Sequence, residues 1–306
     1  MLDIFLKIIP FFALIGLGYG AAATRFFAAE AAIALTRFVF FFALSAMIFN
    51  FTATLEFAQV ANVPFLMAYL IPSLALWVVA TIIAIARKQS AGVAAVEAQC
   101  AVIGNVGFLG IPMLVSLFGE RAALPVIMVL CVDLIIFGSL IVAVITGSRS
   151  RLGVGTIATI AKGLLSNPMI MAIVAGLLWS AYGQDLPPPA AEFLTILGSA
   201  ATPCALFAIG ASLAGKSAER ASVALWISSL KLVVHPVLVG ISALWLFDLD
   251  PFNAMIMICA AAMPVAGNIY IVAQHYNTAP QRASSAILFS TALSIGTLTY
   301  VIGWVQ

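Results

Sequence analysis

Gly104-Asn105-Val106-Gly107-Phe108-Leu109-Gly110-Ile111-Pro112 occupies the centre of residues 93–118, an otherwise apolar stretch. Three glycines and a proline fall within these nine residues. Glycine disfavours a helix interior by about 1 kcal/mol and proline by about 3 kcal/mol. Proline also removes an amide donor and pushes the preceding residue away from helical angles. In lipid no water satisfies the freed backbone groups, so non-helical backbone survives there only when protein buries it or it lines a cavity. The pattern predicts a membrane helix broken near its middle. A second stretch, 252–274, carries Met263-Pro264-Val265-Ala266-Gly267-Asn268, preceded by Cys259-Ala260 as Cys100-Ala101 precedes the first.

The rest of the chain supports a membrane setting. Of 306 residues 64% are hydrophobic and 8% charged, against roughly 25% charged in a soluble domain. Too few polar side chains remain to coat a soluble surface. A spanning helix needs about 20 mostly apolar residues, and the sequence supplies candidates at 2–22, 32–52, 60–86, 93–118, 122–146, 160–182, 190–214, 221–246, 252–274 and 281–305. The fold class expected is therefore an all-α membrane protein of ten transmembrane helices, with a tight hairpin between the eighth and ninth. A cleaved signal peptide at the start is the alternative for Lys7 through Ala23; Pro10, Gly16, Gly18 and Gly20 suit a packed span better, because small residues let helices approach closely.

Loop charges set an orientation. The links after spans one, three, five, seven and nine carry Arg25; Arg87 and Lys88; Arg149 and Arg151; Lys216 and Arg220; and Arg282. The other links carry Glu56; Glu120 and Arg121; Asp185; and Asp248 and Asp250. Positive loops stay cytoplasmic, so both termini are expected on the non-cytoplasmic side. The two interrupted stretches are each the fourth span of a five-span half, 1–146 and 160–306. Five is odd, so the second half enters the membrane inverted, and inverted repeats are a hallmark of secondary transporters.

If the fourth and ninth helices break and cross near the midplane, their half-helix N-termini aim free N–H groups and positive dipole ends at the crossing, which suits a carboxylate. The expected substrate-binding residues are Asn105, Gly107, Gly110, Pro112, Pro264, Gly267 and Asn268, with the two asparagines adding amide contacts. Ordinary glycine-rich packing is the alternative. A charge at the bilayer centre disfavours insertion by at least about 2.5 kcal/mol and needs a partner or a purpose. Asp133 falls in the middle of the fifth span and Lys231 well inside the eighth, with His235 one turn further along the same face. They are the expected ion-coupling residues, with a static ion pair as the alternative; His235, ahead of Pro236, also reads as a hydrogen-bonded packing residue. Glu97 and Glu192 lie near span ends, and the five tryptophans read as packing or interfacial anchors.

The Gly104–Pro112 motif with Leu117-Phe118-Gly119, and Met263-Pro264 with Asn268, together with ten spans, resemble the auxin efflux carrier family, particularly its bacterial permeases. The resemblance covers the whole chain and implies a fold similar to sodium/proton antiporters and bile acid symporters. Spans 1, 2, 6 and 7 would form a scaffold and spans 3–5 and 8–10 a moving transport domain, an elevator mechanism of alternating access. In that antiporter fold an acidic residue on the fifth span pairs with a lysine on the eighth, the spans of Asp133 and Lys231. Bacterial relatives are associated with dicarboxylates such as malate and malonate. The sequence departs from the pattern at Ala43-Leu44-Ser45-Ala46, where many relatives carry a proline, and the loop near 147–159 is far shorter than the regulatory loop of plant relatives.

The function expected is a secondary transporter of small organic anions, by symport or antiport, in a bacterial inner membrane. Na+ or H+ is the coupling ion, no cofactor is expected, and a homodimer through the scaffold is compatible with the resemblance. A channel or non-transporting membrane sensor of the same fold is the alternative. No His-Glu-x-x-His, Gly-x-Ser-x-Gly or cysteine–histidine pattern suggests an enzyme. No basic cluster suggests nucleic acid. Cys100, Cys131, Cys204 and Cys259 all fall in apolar runs and read as small buried residues, without disulfide or metal-binding spacing.

Overall fold

Long apolar runs with at most two charges become long helices. The computed structural model describes residues 2–54, 62–148, 154–183, 185–214 and 221–305. Its helices, in order, are α1 Leu2–Ala23, α2 Ala29–Ala53, α3 Val63–Ala86, α4 Ala91–Val102, α5 Val106–Phe118, α6 Glu120–Gly147, α7 Val154–Leu165, α8 Pro168–Tyr182, α9 Pro188–Ala214, α10 Ala221–Leu246, α11 Pro251–Ala261, α12 Asn268–His275 and α13 Pro280–Val305. Among the described residues there is no strand, only an isolated antiparallel bridge between Gly104 and Val265. The loop charges Glu56, Arg149, Arg151, Lys216 and Arg220 lie outside the described residues.

Seven of these helices are long and apolar enough to cross a membrane: α1, α2, α3, α6, α9, α10 and α13. The pair α7 and α8 makes an eighth if counted together. The protein is thus an all-helical, multi-pass membrane protein. Many outward-facing side chains are large and apolar, among them Leu17, Phe42, Ile82, Leu178, Ile196 and Val237; lipid is the solvent that accepts them.

Residues 160–182 do not form the single helix expected. Helix α7 ends at Leu165, α8 begins at Pro168, and the two are bent by 67°. Asn167 side-chain oxygen accepts from the amides of Met169 and Ile170 at 3.0 and 3.4 Å. An asparagine cap followed by proline in the first turn starts a new helix rather than continuing the old one. The hairpin expected between the eighth and ninth spans is present. Asp248 adopts φ +45° and Asp250 caps α11 through the Asn253 amide at 3.1 Å.

Helices α1, α2, α8 and α9 pack tightly on one another. Glycine makes that closeness possible. A Cβ on Gly210 would lie 1.8 Å from the Ile15 carbonyl oxygen, and one on Gly18 2.1 Å from that of Phe207, so α1 and α9 touch backbone to backbone. Gly176 of α8 lies against the Thr52 side chain of α2, where a Cβ would fall 1.9 Å from Oγ1. In the second group α3 packs on α4, and α10 packs on α3, α11 and α13.

At Ala43-Leu44-Ser45-Ala46 the chain stays helical. The turn just before it, Val39–Ala43, is wound wider, with i→i+5 bonding. Similar wide turns occur at Val106–Gly110, Val132–Phe137, Leu230–Val234 and Ser242–Leu246.

Candidate functional site

The stretches at 93–118 and 252–274 both break. Helix α4 stops at Val102 and α5 begins at Val106; α11 stops at Ala261 and α12 begins at Asn268. The extended links cross antiparallel. Asn105 N–H donates to the Pro264 carbonyl at 2.7 Å, and Ala266 N–H donates to that of Ile103 at 3.1 Å. Val265 N–H donates to Ser290 Oγ of α13 at 3.0 Å. Four of the backbone groups freed at the breaks thus pair across the crossing and a fifth is taken by Ser290, which is how extended chain is held inside an apolar protein.

Gly104 sits at the closest approach. A Cβ there would meet Met263 Cβ at 3.1 Å, the Ala260 carbonyl at 3.3 Å and Lys231 Nζ at 3.3 Å. Asn105 is buried, and its carbonyl accepts from Leu109 and Gly110 at 3.0 and 2.9 Å. Pro112 stands buried in the first turn of the regular α-helix that opens at Ile111, and Pro264 is buried at the crossing. A Cβ on Gly110 would make ordinary contact with Val106 and Met263. Gly107 faces elsewhere: its Cβ would lie 2.6 Å from Met169 Cε of α8. Gly267 and Asn268 are exposed. Asn268 lines a small cleft with Gln99, Ile103, Asp133, Leu134 and Ile269. One opening therefore joins the start of α12 to the buried carboxylate of α6.

Asp133, Lys231 and His235 are all buried. Among the described residues, however, Asp133 and Lys231 make no ion pair within 4 Å. Asp133 Oδ1 accepts from Tyr69 OH at 2.8 Å, and its Oδ2 has no hydrogen-bond partner. Lys231 Nζ donates to the Ala261 carbonyl, the C-terminal end of α11, where the helix dipole favours a cation. It also lies 3.1 Å from His235 Nδ1. His235 Nε2 lies 2.9 Å from Ser73 Oγ. The expected direct contact is absent: Asp133 is held by Tyr69, and Lys231 by the Ala261 carbonyl and His235. Asp133 and Lys231 both sit in wide turns, which recur at functional positions in helices.

The family profile described as "Membrane transport protein" matches residues 3–161 and 154–302. The chain belongs to this family, the auxin efflux carrier family. A membrane-transport role follows, rather than catalysis. The chain is also similar to a protein of Rhizobium meliloti (strain 1021) described as "Putative malonate transporter", with 29% identity over 299 residues that cover 95% of this chain and 92% of the relative.

Several residues of this family member's interior escaped the sequence reading. Tyr69 and Ser73 of α3 are four apart, on one helix face, and reach Asp133 and His235 from a helix far away in sequence. Gln99 accepts from Trp77 Nε1 at 3.1 Å and donates to the Phe137 carbonyl at 3.2 Å, beside the wide turn that holds Asp133. Glu97, expected near a span end, is buried and takes both Arg87 and Arg282 as ion-pair partners; Arg282 also donates to Gln89 at 2.7 Å. This cluster ties the end of α3, the middle of α4 and the start of α13 together.

Proposed function

We propose that this protein is a secondary active transporter of small carboxylates, with malonate-like dicarboxylates the first class to test, working by alternating access and coupled to protons or Na+. The observation that carries the reading is the antiparallel crossing of two interrupted helices beside a cleft shared by Asn268 and Asp133. Half-helix N-termini near Asn105 and Asn268 favour an anion. A carboxylate entering next to an ionised Asp133 meets like-charge repulsion, strongest in a low-dielectric site. Binding of the anion together with a cation or proton relieves that repulsion, which is the logic of coupling. The Rhizobium relative's description supports the choice of malonate.

In this reading the chain makes ten spans as two inverted five-span repeats, with α4–α5 the fourth and α11–α12 the ninth. Helices α1, α2, α7–α8 and α9 are the scaffold, and the remaining helices carry the substrate. Both termini are non-cytoplasmic, and the setting is a bacterial inner membrane. Purified protein in liposomes should then show saturable malonate counterflow, which a channel does not give. Asn105→Ala and Asn268→Ala should weaken malonate binding while the fold is retained. Malonate and related dicarboxylates that neither bind nor exchange, or unchanged affinity in both folded variants, would sink the reading.

A further inference from the structure

Asp133 and Lys231 make no ion pair, yet polar side chains stand between them. Tyr69 OH donates to Asp133 Oδ1 at 2.8 Å. Tyr69 and Ser73 stand one turn apart on the same face of α3. Ser73 Oγ is 2.9 Å from His235 Nε2, and His235 Nδ1 is 3.1 Å from Lys231 Nζ. All five side chains are buried. We propose that Tyr69, Ser73 and His235 are a proton relay that joins Lys231 to Asp133 and, through Asp133, to the cleft. The inference deepens the coupling role proposed above for Asp133 and rests on it.

The surroundings of His235 carry the argument. A merely structural histidine needs a partner for one tautomer. This ring has partners for both. With Lys231 protonated, Nδ1 accepts from the ammonium and Nε2–H donates to Ser73. With Lys231 neutral, Nδ1–H can donate to the Ala261 carbonyl, 3.2 Å away, and Nε2 accepts from Ser73. The Ala261 carbonyl therefore serves either donor, and the hydroxyls of Ser73 and Tyr69 can rotate to run the chain in either direction.

The transfer balances. One proton leaves Lys231 Nζ for His235 Nδ1, and the Nε2 proton passes to Ser73 Oγ. The Ser73 proton passes to the Tyr69 oxygen, and the Tyr69 proton to Asp133 Oδ1. Only N–H and O–H bonds change, and an ammonium and a carboxylate become an amine and a carboxylic acid with no change in net charge. Lys231 is fully buried, whereas Asp133 lines the cleft and keeps Oδ2 unpartnered. Arrival of an anion in the cleft thus draws the positive charge toward it. Few other ionisable groups bear on the chain. Cys131 stands beside Asp133 on α6, α4 presents the uncharged Gln99 to the same cleft, and α11 presents the Ala261 carbonyl, with Cys259 buried on the same helix.

The protein has two histidines, His235 and His275, so 15N-histidine labelling gives two imidazole spectra, and His275→Gln assigns them. As pH rises, Lys231 loses its proton through the relay, and His235 should pass from the Nε2–H to the Nδ1–H tautomer without becoming imidazolium. In Ser73→Ala the change should be lost, and Ser73→Thr, which keeps the hydroxyl, should restore it. A single His235 tautomer throughout in the wild type, or a change that persists in Ser73→Ala, would overturn the relay. In liposomes with an imposed pH gradient, Ser73→Ala and Tyr69→Phe should slow gradient-driven malonate uptake by about tenfold more than they slow counterflow, a factor below the usual contribution of a proton-transfer group in catalysis. The failures separate cleanly: Asp133→Asn with unchanged pH dependence removes the coupling role itself, whereas loss of coupling in Asp133→Asn but not in Ser73→Ala or Tyr69→Phe removes only the relay.

Discussion

Helices α1, α2, α8 and α9 and the helices around the crossing are built on opposite principles. The first group is held by close glycine contacts, backbone on backbone at Gly18 and Gly210 and backbone on the Thr52 side chain at Gly176. The second is held by polar side chains inside an apolar shell. Of the sixteen buried polar residues among those described, only Thr52 belongs to the first group; Ser73, Glu97, Gln99, Asn105, Asp133, Lys231 and His235 all belong to the second or to the crossing itself. Glycine contacts leave nothing to titrate and little freedom to slide. Buried hydrogen-bonded side chains can exchange partners. The division teaches where a framework ends and where chemistry begins.

Gly210→Val should have the largest effect of the changes that probe this contrast. Its Cβ would meet a backbone oxygen, which cannot rotate away, so α1 and α9 must separate. Overpacking of this kind is expected to destabilise by more than about 3 kcal/mol, beyond the usual range for cores. Thermal unfolding followed by size-exclusion fluorescence checks it, and a wild-type midpoint would mean that the first group is not held by close backbone contact.

Glu97→Ala comes next. It strands two guanidiniums, Arg87 about one-third exposed and Arg282 more buried. Removal of one member of a buried charge cluster costs roughly 3 kcal/mol, less here because Arg87 can turn to solvent. Adding Arg282→Ala should return part of the loss, since it removes the more buried stranded charge. If the double variant is less stable than the sum of the singles, the cluster is not a compensated one.

Trp77→Phe tests the polar shell more gently. It removes the donor to Gln99 Oε1 and leaves that oxygen buried, for about 1 kcal/mol. Because Gln99 lines the cleft, malonate affinity should change along with the unfolding midpoint. A change in stability alone would confine Gln99 to a packing role.

The legibility of the two groups differs for the same reason. The breaks at Gly104–Pro112 and Met263–Asn268 were readable because glycine and proline act locally, through backbone preferences that need no partner. The bend at Ser166-Asn167-Pro168 carries an equally local signal, but the hydropathy of 160–182 runs straight through it and hides it. The pairing of Gly210 with Ile15, or of Tyr69 with Asp133, depends on which helix faces which, and periodicity along one helix does not contain that. Asp133 and Lys231 stand out in the sequence as isolated charges in apolar runs. Tyr69 and Ser73 do not, because a serine and a tyrosine in a membrane helix are unremarkable until something buried needs them.

Gly107→Ala should cost the fold least, and it bears most directly on whether the two groups move past each other. Gly107 belongs to the interrupted helices, yet its missing side chain faces Met169 at the start of α8, across the boundary. Phe108 stacks on Phe40 of α2 at the same boundary, with ring centroids 6.2 Å apart. A methyl group at 107 would lie 2.6 Å from Met169 Cε, the far end of a flexible side chain that can swing aside. The stability loss should therefore stay below about 1 kcal/mol, under the usual range for overpacking. If the boundary is a sliding surface, the methyl is a bump that meets new neighbours along the path. Malonate affinity should then hold while counterflow slows, and Met169→Ala in the same protein should restore the rate by clearing the space. Equal rates in Gly107→Ala and wild type, with Gly107→Val also fully active, would mean that this boundary stays fixed during transport. The moving surface would then have to be sought elsewhere between the two groups.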